Sequence, residues 1–240
     1  MSRFEEAFPD GNGKVVIGMI HLFGGSRSKT LERALHELFL YKEHGLNGAI
    51  LEDYHGSAQS ITDVLEELRR NQGWDDVPAS IGVNYLRDTD QAFKTMQEYG
   101  LSFVQVDCVD ADCSCPQRRS VISGRETASG AIFGGVRFKG HDASHENADY
   151  ALKHATQFTD AIVVTGTTTG VAAPLSKIEY FRKVLDDFPL IVGSGVSVES
   201  INLVAPYVNG FIIGSAFKPG GETRATVESD LIEAVIASLR

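Results

Sequence analysis

The chain has 240 residues, 42% hydrophobic and 22% charged, with a formal net charge of −10 at pH 7. That composition suits a folded soluble domain able to bury a full core, and an acidic surface with no run of Lys or Arg argues against a nucleic-acid partner. Three cysteines argue against a disulfide framework, no apolar run nears the ~18 residues of a membrane span, and the polar start MSRFEEAFPDGNG lacks the basic and apolar parts of a secretion signal, so a cytoplasmic protein is expected.

Residues 1–13 read as a polar N-terminal extension. Eight short apolar runs come after it: VVIGMI (15–20), GAILE (48–52), ASIGVN (79–84), SFVQVD (102–107), AIFGGV (131–136), DAIVVTG (160–166), PLIVGSG (189–195) and GFIIGS (210–215). Each is rich in Val and Ile and apolar almost throughout, the pattern of a parallel strand buried on both faces. Helical spacing lies between them. Leu31, Leu35, Leu38 and Leu40 share a face before Gly45; Ile61, Val64, Leu65 and Leu68 form a second set; Ala92, Phe93, Met96 and Tyr99 precede Gly100. Further helices are expected from near Asn147, Ser176, Val198 and Thr226.

Eight strand-then-helix units predict an α/β fold, a (β/α)8 TIM barrel of the phosphate-binding type, as one domain over residues 1–240. An open doubly wound sheet is the alternative. The first strand, however, leads into HLFGGSRS, which does not fit the GxGxxG turn, so no nucleotide redox cofactor is expected. Residues 108–130, between the fourth and fifth strands, read as a long irregular loop and a candidate lid.

The last two strands end in GSG (193–195) and GS (214–215). In such barrels these turns hold phosphate: glycine lets the backbone approach, and the N–H groups of the loops and a helix N-terminus converge on the anion. Gly193, Ser194, Gly195, Gly214 and Ser215 are the expected phosphate ligands, with Ser197 as the cap of the next helix. Thr165, Gly166 and Thr167 after the sixth strand close a third side. A small phosphorylated ligand is the expected partner.

The blocks VIGMIHL (16–22), GAILEDY (48–54), IGVNYLRD (81–88), AIVVTGTTTG (161–170), IVGSGVSVESI (191–201) and GFIIGSAFK (210–218) resemble the BtpA family, whose members include a photosystem I biogenesis factor and SgcQ-like proteins. The resemblance runs over most of the chain. It implies a TIM barrel related to the phosphate-binding barrels, and brings no secure reaction with it.

Polar residues at strand C-termini face the site of such a barrel. His21 is the natural acid or base. Glu52, favoured over its neighbour Asp53, and Asp107 lie across the mouth from each other and could divide acid and base roles or jointly hold Mg²⁺. Asn84 could orient a hydroxyl. Lys139 could form a Schiff base or neutralise a substrate anion. Arg118 and Arg119, on the candidate lid, could cover an anionic substrate. Cys108, Cys113 and Cys115 raise a zinc site, with His141, His145, Asp110 or Asp112 as further ligands, against the simpler reading of free thiols.

The expectation is an enzyme working on a small phosphorylated metabolite, a sugar phosphate or nucleotide derivative, by isomerase or lyase chemistry, acid–base or metal-assisted. A non-enzymatic assembly factor for a membrane or photosystem complex, and a phosphometabolite sensor, are the alternatives. Barrels of this size often pair, so a homo-oligomer is expected.

Overall fold

The structure is a computed structural model that describes residues 1–9, 13–111, 116–139 and 147–239. Its strands are β1 (Val15–Ile20), β2 (Gly48–Glu52), β3 (Ser80–Asn84), β4 (Phe103–Val106), β5 (Ala131–Gly135), β6 (Ala161–Val164), β7 (Leu190–Val192) and β8 (Gly210–Ile213). All pair in parallel with their sequence neighbours, and β8 returns to β1 to close the barrel. Every strand falls inside the apolar run that predicted it, because a strand covered on both faces is built mostly of apolar residues.

Two cores result. Ile17, Met19, Ile50, Phe103, Phe133, Val163, Ile191 and Ile212 point inward and fill the barrel. The alternate residues pack outward under a ring of helices: α2 (Arg27–Glu43), α3 (Ala58–Arg70), α4 (Thr89–Tyr99), α5 (Pro116–Gly124), α6 (Ala148–Ala155), α7 (Leu175–Leu185), the single turn α8 (Ile201–Val204) and α9 (Ser229–Ser238). No helix among the described residues is long and apolar enough to cross a membrane.

Three expectations need correction. The N-terminal extension is not merely polar: it holds α1 (Arg3–Ala7), capped by Ser2, whose Phe4, Ala7 and the adjoining Phe8 are buried. Phe8 lies 5.5 Å from the Phe103 ring and 6.0 Å from that of Phe133, so the segment stoppers the end of the barrel opposite the strand C-termini. Residues 108–130 are not irregular throughout, since α5 occupies 116–124. Its sequence, PQRRSVISG, buries only Val121 and so carries no periodic signal. The third concerns Ser197. It does not cap a helix directly; Ser197 and Ser200 each accept the other's backbone N–H, at 3.3 and 3.0 Å, in a separate turn, and α8 starts at Ile201.

Candidate active site at the barrel mouth

Glu52 and Asn84 end β2 and β3 and are register partners, so their side chains stand side by side on the inner face. Asp107 comes just after β4, two residues beyond the inward Gln105. The Asn84 amide nitrogen donates to Glu52 Oε1 and to Asp107 Oδ1, both at 2.9 Å, and the Gln105 amide nitrogen adds a longer contact to Asp107 at 3.4 Å. Glu52 is 4% exposed and Asn84 fully buried. Burial first, then the charge of Asp107, pushes the Glu52 carboxyl up to about 8, against the opposing pull of Lys139 and Asn84. Burial also raises Asp107, while Lys139 and the two amides hold it down. Asn84 Oδ1 and Gln105 Oε1 have no hydrogen-bond partner among the described residues.

His21, the residue after β1, is buried beside this pair, with Nε2 3.9 Å from Glu52 Oε2. Leu22 behind it has φ +46°, in the left-handed region that a non-glycine residue rarely adopts. The ring can lie where it does because residue 214 is glycine: a Cβ there would come within 2.8 Å of His21 Cε1. Burial, and after it the charges of Lys218, His55, Lys139 and Arg33, holds the imidazole well below its usual range, so it is neutral. Tyr54 meets its ring edge-on at 5.3 Å. Lys139 lies beyond β5, over the Phe138 ring.

One pocket joins part of this cluster to the glycine loops; Asn84 and Asp107 are not in its wall. Its wall includes His21, Glu52, Gln105 and Lys139 on one side and Gly193, Ser194, Gly195, Gly214 and Ser215 on the other. The loop after β6 behaves differently from the expectation. Thr165 is buried and Thr167 exposed, and neither they nor Gly166 line the pocket; Thr169 and Gly170 take that place. Ser194 explains the arrangement. Its hydroxyl accepts from the Gly166 N–H and donates to Val171 O, both at 3.0 Å, so it ties the β6 loop down and is not available to an anion. Gly195 sits under the same loop with φ +65°, where a Cβ would lie 2.1 Å from Ala172 N. The loop then reaches across the mouth to a 3.4 Å contact between Thr169 and the Tyr54 hydroxyl.

Arg118 and Arg119 lie on α5. Arg118 turns to His154 on α6, at 3.3 Å, and Arg119 is exposed; neither lines the pocket. Asp53 is a brace, accepting the Leu86 N–H at 2.9 Å. Among the described residues no group of three His, Cys, Asp or Glu side chains is placed to hold a metal ion, and an amide N–H already bridges Glu52 and Asp107. Cys108 is buried with Sγ 3.7 Å from Asp110 Oδ2; Asp112, Cys113, Cys115, His141 and His145 lie outside the described residues.

Sequence reasoning missed Gln105 and Lys218. Gln105 was legible: it alternates with Phe103 and Asp107 along one inward face. Lys218 is 2% exposed, with Nζ 3.2 Å from His21 Nδ1 and 3.1 Å from Thr223 O. Its role depends on β8 closing against β1, which no local pattern reveals.

Comparisons with known proteins agree with this architecture. An uncharacterised protein of Pyrococcus abyssi is 28% identical over 265 aligned positions, covering 96% of this chain and 99% of the relative. Among solved structures, one described as native KDPGal superposes with a TM-score of 0.65 at 12% identity, covering 94% of each chain. The phosphoribosyl anthranilate isomerase of Thermus thermophilus superposes with a TM-score of 0.62 at 14% identity, covering 94% of this chain and 98% of that one. At those identities the likeness is one of fold. The BtpA family model matches residues 136–240, the part carrying the glycine loops after β7 and β8, and over that part this chain is similar to the BtpA family.

Proposed function

We propose that the protein is an enzyme that moves protons on a small phosphorylated metabolite, in an isomerase- or lyase-type reaction. The observation that carries this reading is a single pocket walled on one side by Glu52, which a buried amide bridges to Asp107 behind it, and on the other by two glycine-rich turns. At neutral pH Glu52, with its pKa near 8, enters protonated and serves as the acid. Asp107, raised by burial against the opposing pull of Lys139 and two amides, would serve as the base. The N–H groups around Gly195 and Ser215 would anchor the phosphate, and that remote binding would position the reacting end. The shared fold of an isomerase named for a phosphoribosyl substrate supports the reading.

Calorimetry with sugar phosphates and their unphosphorylated parents tests it. The phosphate esters should bind at least tenfold tighter, and Ser215→Glu, which sets a carboxylate in the anion's place, should abolish that preference. Glu52→Gln should keep the binding and lose turnover. Equal affinity for the parents, or no binding of any ester at millimolar concentration, would sink the proposal. Ester binding with no turnover in the wild type would identify a sensor.

A further inference from the structure

His21 faces charged or titratable groups from every side: Glu52 from β2, His55 from the loop after it, Lys139 beyond β5, Arg33 from α2 and Lys218 beyond β8. Lys218 alone among these makes a hydrogen-bond-length contact to the ring, at Nδ1, and its other contact is to the Thr223 carbonyl. A carbonyl can only accept, so Lys218 donates there. Held as an ammonium, a lysine has three donors and no acceptor, and Nδ1 then accepts as well. A neutral imidazole that accepts at Nδ1 carries its proton on Nε2. Nε2 is the nitrogen turned toward Glu52, and their 3.9 Å separation is too long for a direct hydrogen bond, leaving both groups available to a third atom.

We propose that Lys218 is a positioning residue that fixes His21 with its one ring proton on Nε2, making the imidazole a hydrogen-bond donor to an acceptor oxygen of the substrate beside Glu52. His21 then stabilises negative charge gathering on that oxygen, and proton transfer belongs to the carboxyl pair. The substrate half of this statement rests on the proposed function; the tautomer does not. Lys218 has company in its pocket: the backbone of residues 223–225 is held in turn by Arg33, whose guanidinium donates to the Arg224 and Ala225 carbonyls and pairs with Glu37 at 2.8 Å. The lysine is therefore seated by a braced loop.

Nitrogen NMR on protein labelled at histidine reads the tautomer directly, with His21→Gln assigning the signal. The wild type at neutral pH should show a pyridine-like Nδ1 and a pyrrole-like Nε2. Lys218→Arg, which keeps a donor, should preserve that pattern. Lys218→Met should put at least half of the population in the opposite tautomer, and Lys218→Gln is the second neutral variant should the first not fold. A proton on Nδ1 in the wild type, or an unchanged pattern in the neutral variants, overturns the proposal. Titrating a sugar phosphate into the same sample separates the two readings. A tautomer as expected with no shift of the Nε2 signal would count against the phosphometabolite substrate and leave the role of Lys218 standing.

Discussion

At the scale of residues, a carboxyl that resists ionisation works against the fold as the solution becomes basic. Unfolded, Glu52 ionises near its ordinary value; folded, it holds its proton up to about pH 8. Between those values the folded state binds the extra proton, so stability falls as pH rises across the window and levels off above it. Glu52→Gln keeps the acceptor for Asn84 and removes the titration. The variant should match the wild type near pH 4.5 and exceed it at pH 9 by on the order of 3 kcal/mol, from about 1.4 kcal/mol per pKa unit discounted for relaxation. Calorimetric melts across that range check this, and parallel curves for the two proteins would refute the buried-acid description. The preference for Glu52 over Asp53 was legible because Glu52 ends the apolar run, and Asp53 beyond it turns to the Leu86 N–H. The partnership of His21 with Lys218 was not, because it joins residues 197 positions apart through barrel closure.

At the scale of elements, strands were easier to read than the segments connecting them. A doubly buried strand declares itself by composition, whereas α5 and α8 bury one and two side chains and leave little trace. Val198, near which a helix was expected to start, is 40% exposed and lies before α8. The loop after β6 shows how a polar side chain can decide a loop's course. Removing the Ser194 hydroxyl orphans the Gly166 N–H and the Val171 carbonyl together. Ser194→Ala should cost about 1–2 kcal/mol, and hydrogen exchange should quicken by about tenfold at Gly166 and the residues up to Ala172, with β7 itself unchanged. If protection in that loop stays as in the wild type, the clamp is not what holds it over the mouth.

At the scale of the whole molecule, the barrel separates stability from chemistry along its axis. Polar groups gather where the strands end, and the opposite end is closed by the aromatic stopper of Phe4 and Phe8 against Phe103 and Phe133. The i, i+4 spacing of the two phenylalanines was present in the sequence, but five helical residues among charged neighbours read as a tail, since the surface they cover exists only once the barrel closes. Phe8→Ala should empty a site that the inner core cannot refill, because its neighbours are fixed by strand register. The expected cost is about 3–5 kcal/mol, a fall in Tm of roughly 10 °C for a domain of this size. The mouth is held by β2, β3, β4 and the loops of the last three strands, none of which depends on Phe8. Affinity for whichever phosphate ester the wild type binds should therefore stay within about twofold below the melting transition. Differential scanning calorimetry and isothermal titration on one preparation measure both quantities. A variant that melts as the wild type does would show that α1 does not stopper the barrel, and one that keeps its Tm but loses the ligand would show that the two ends are coupled.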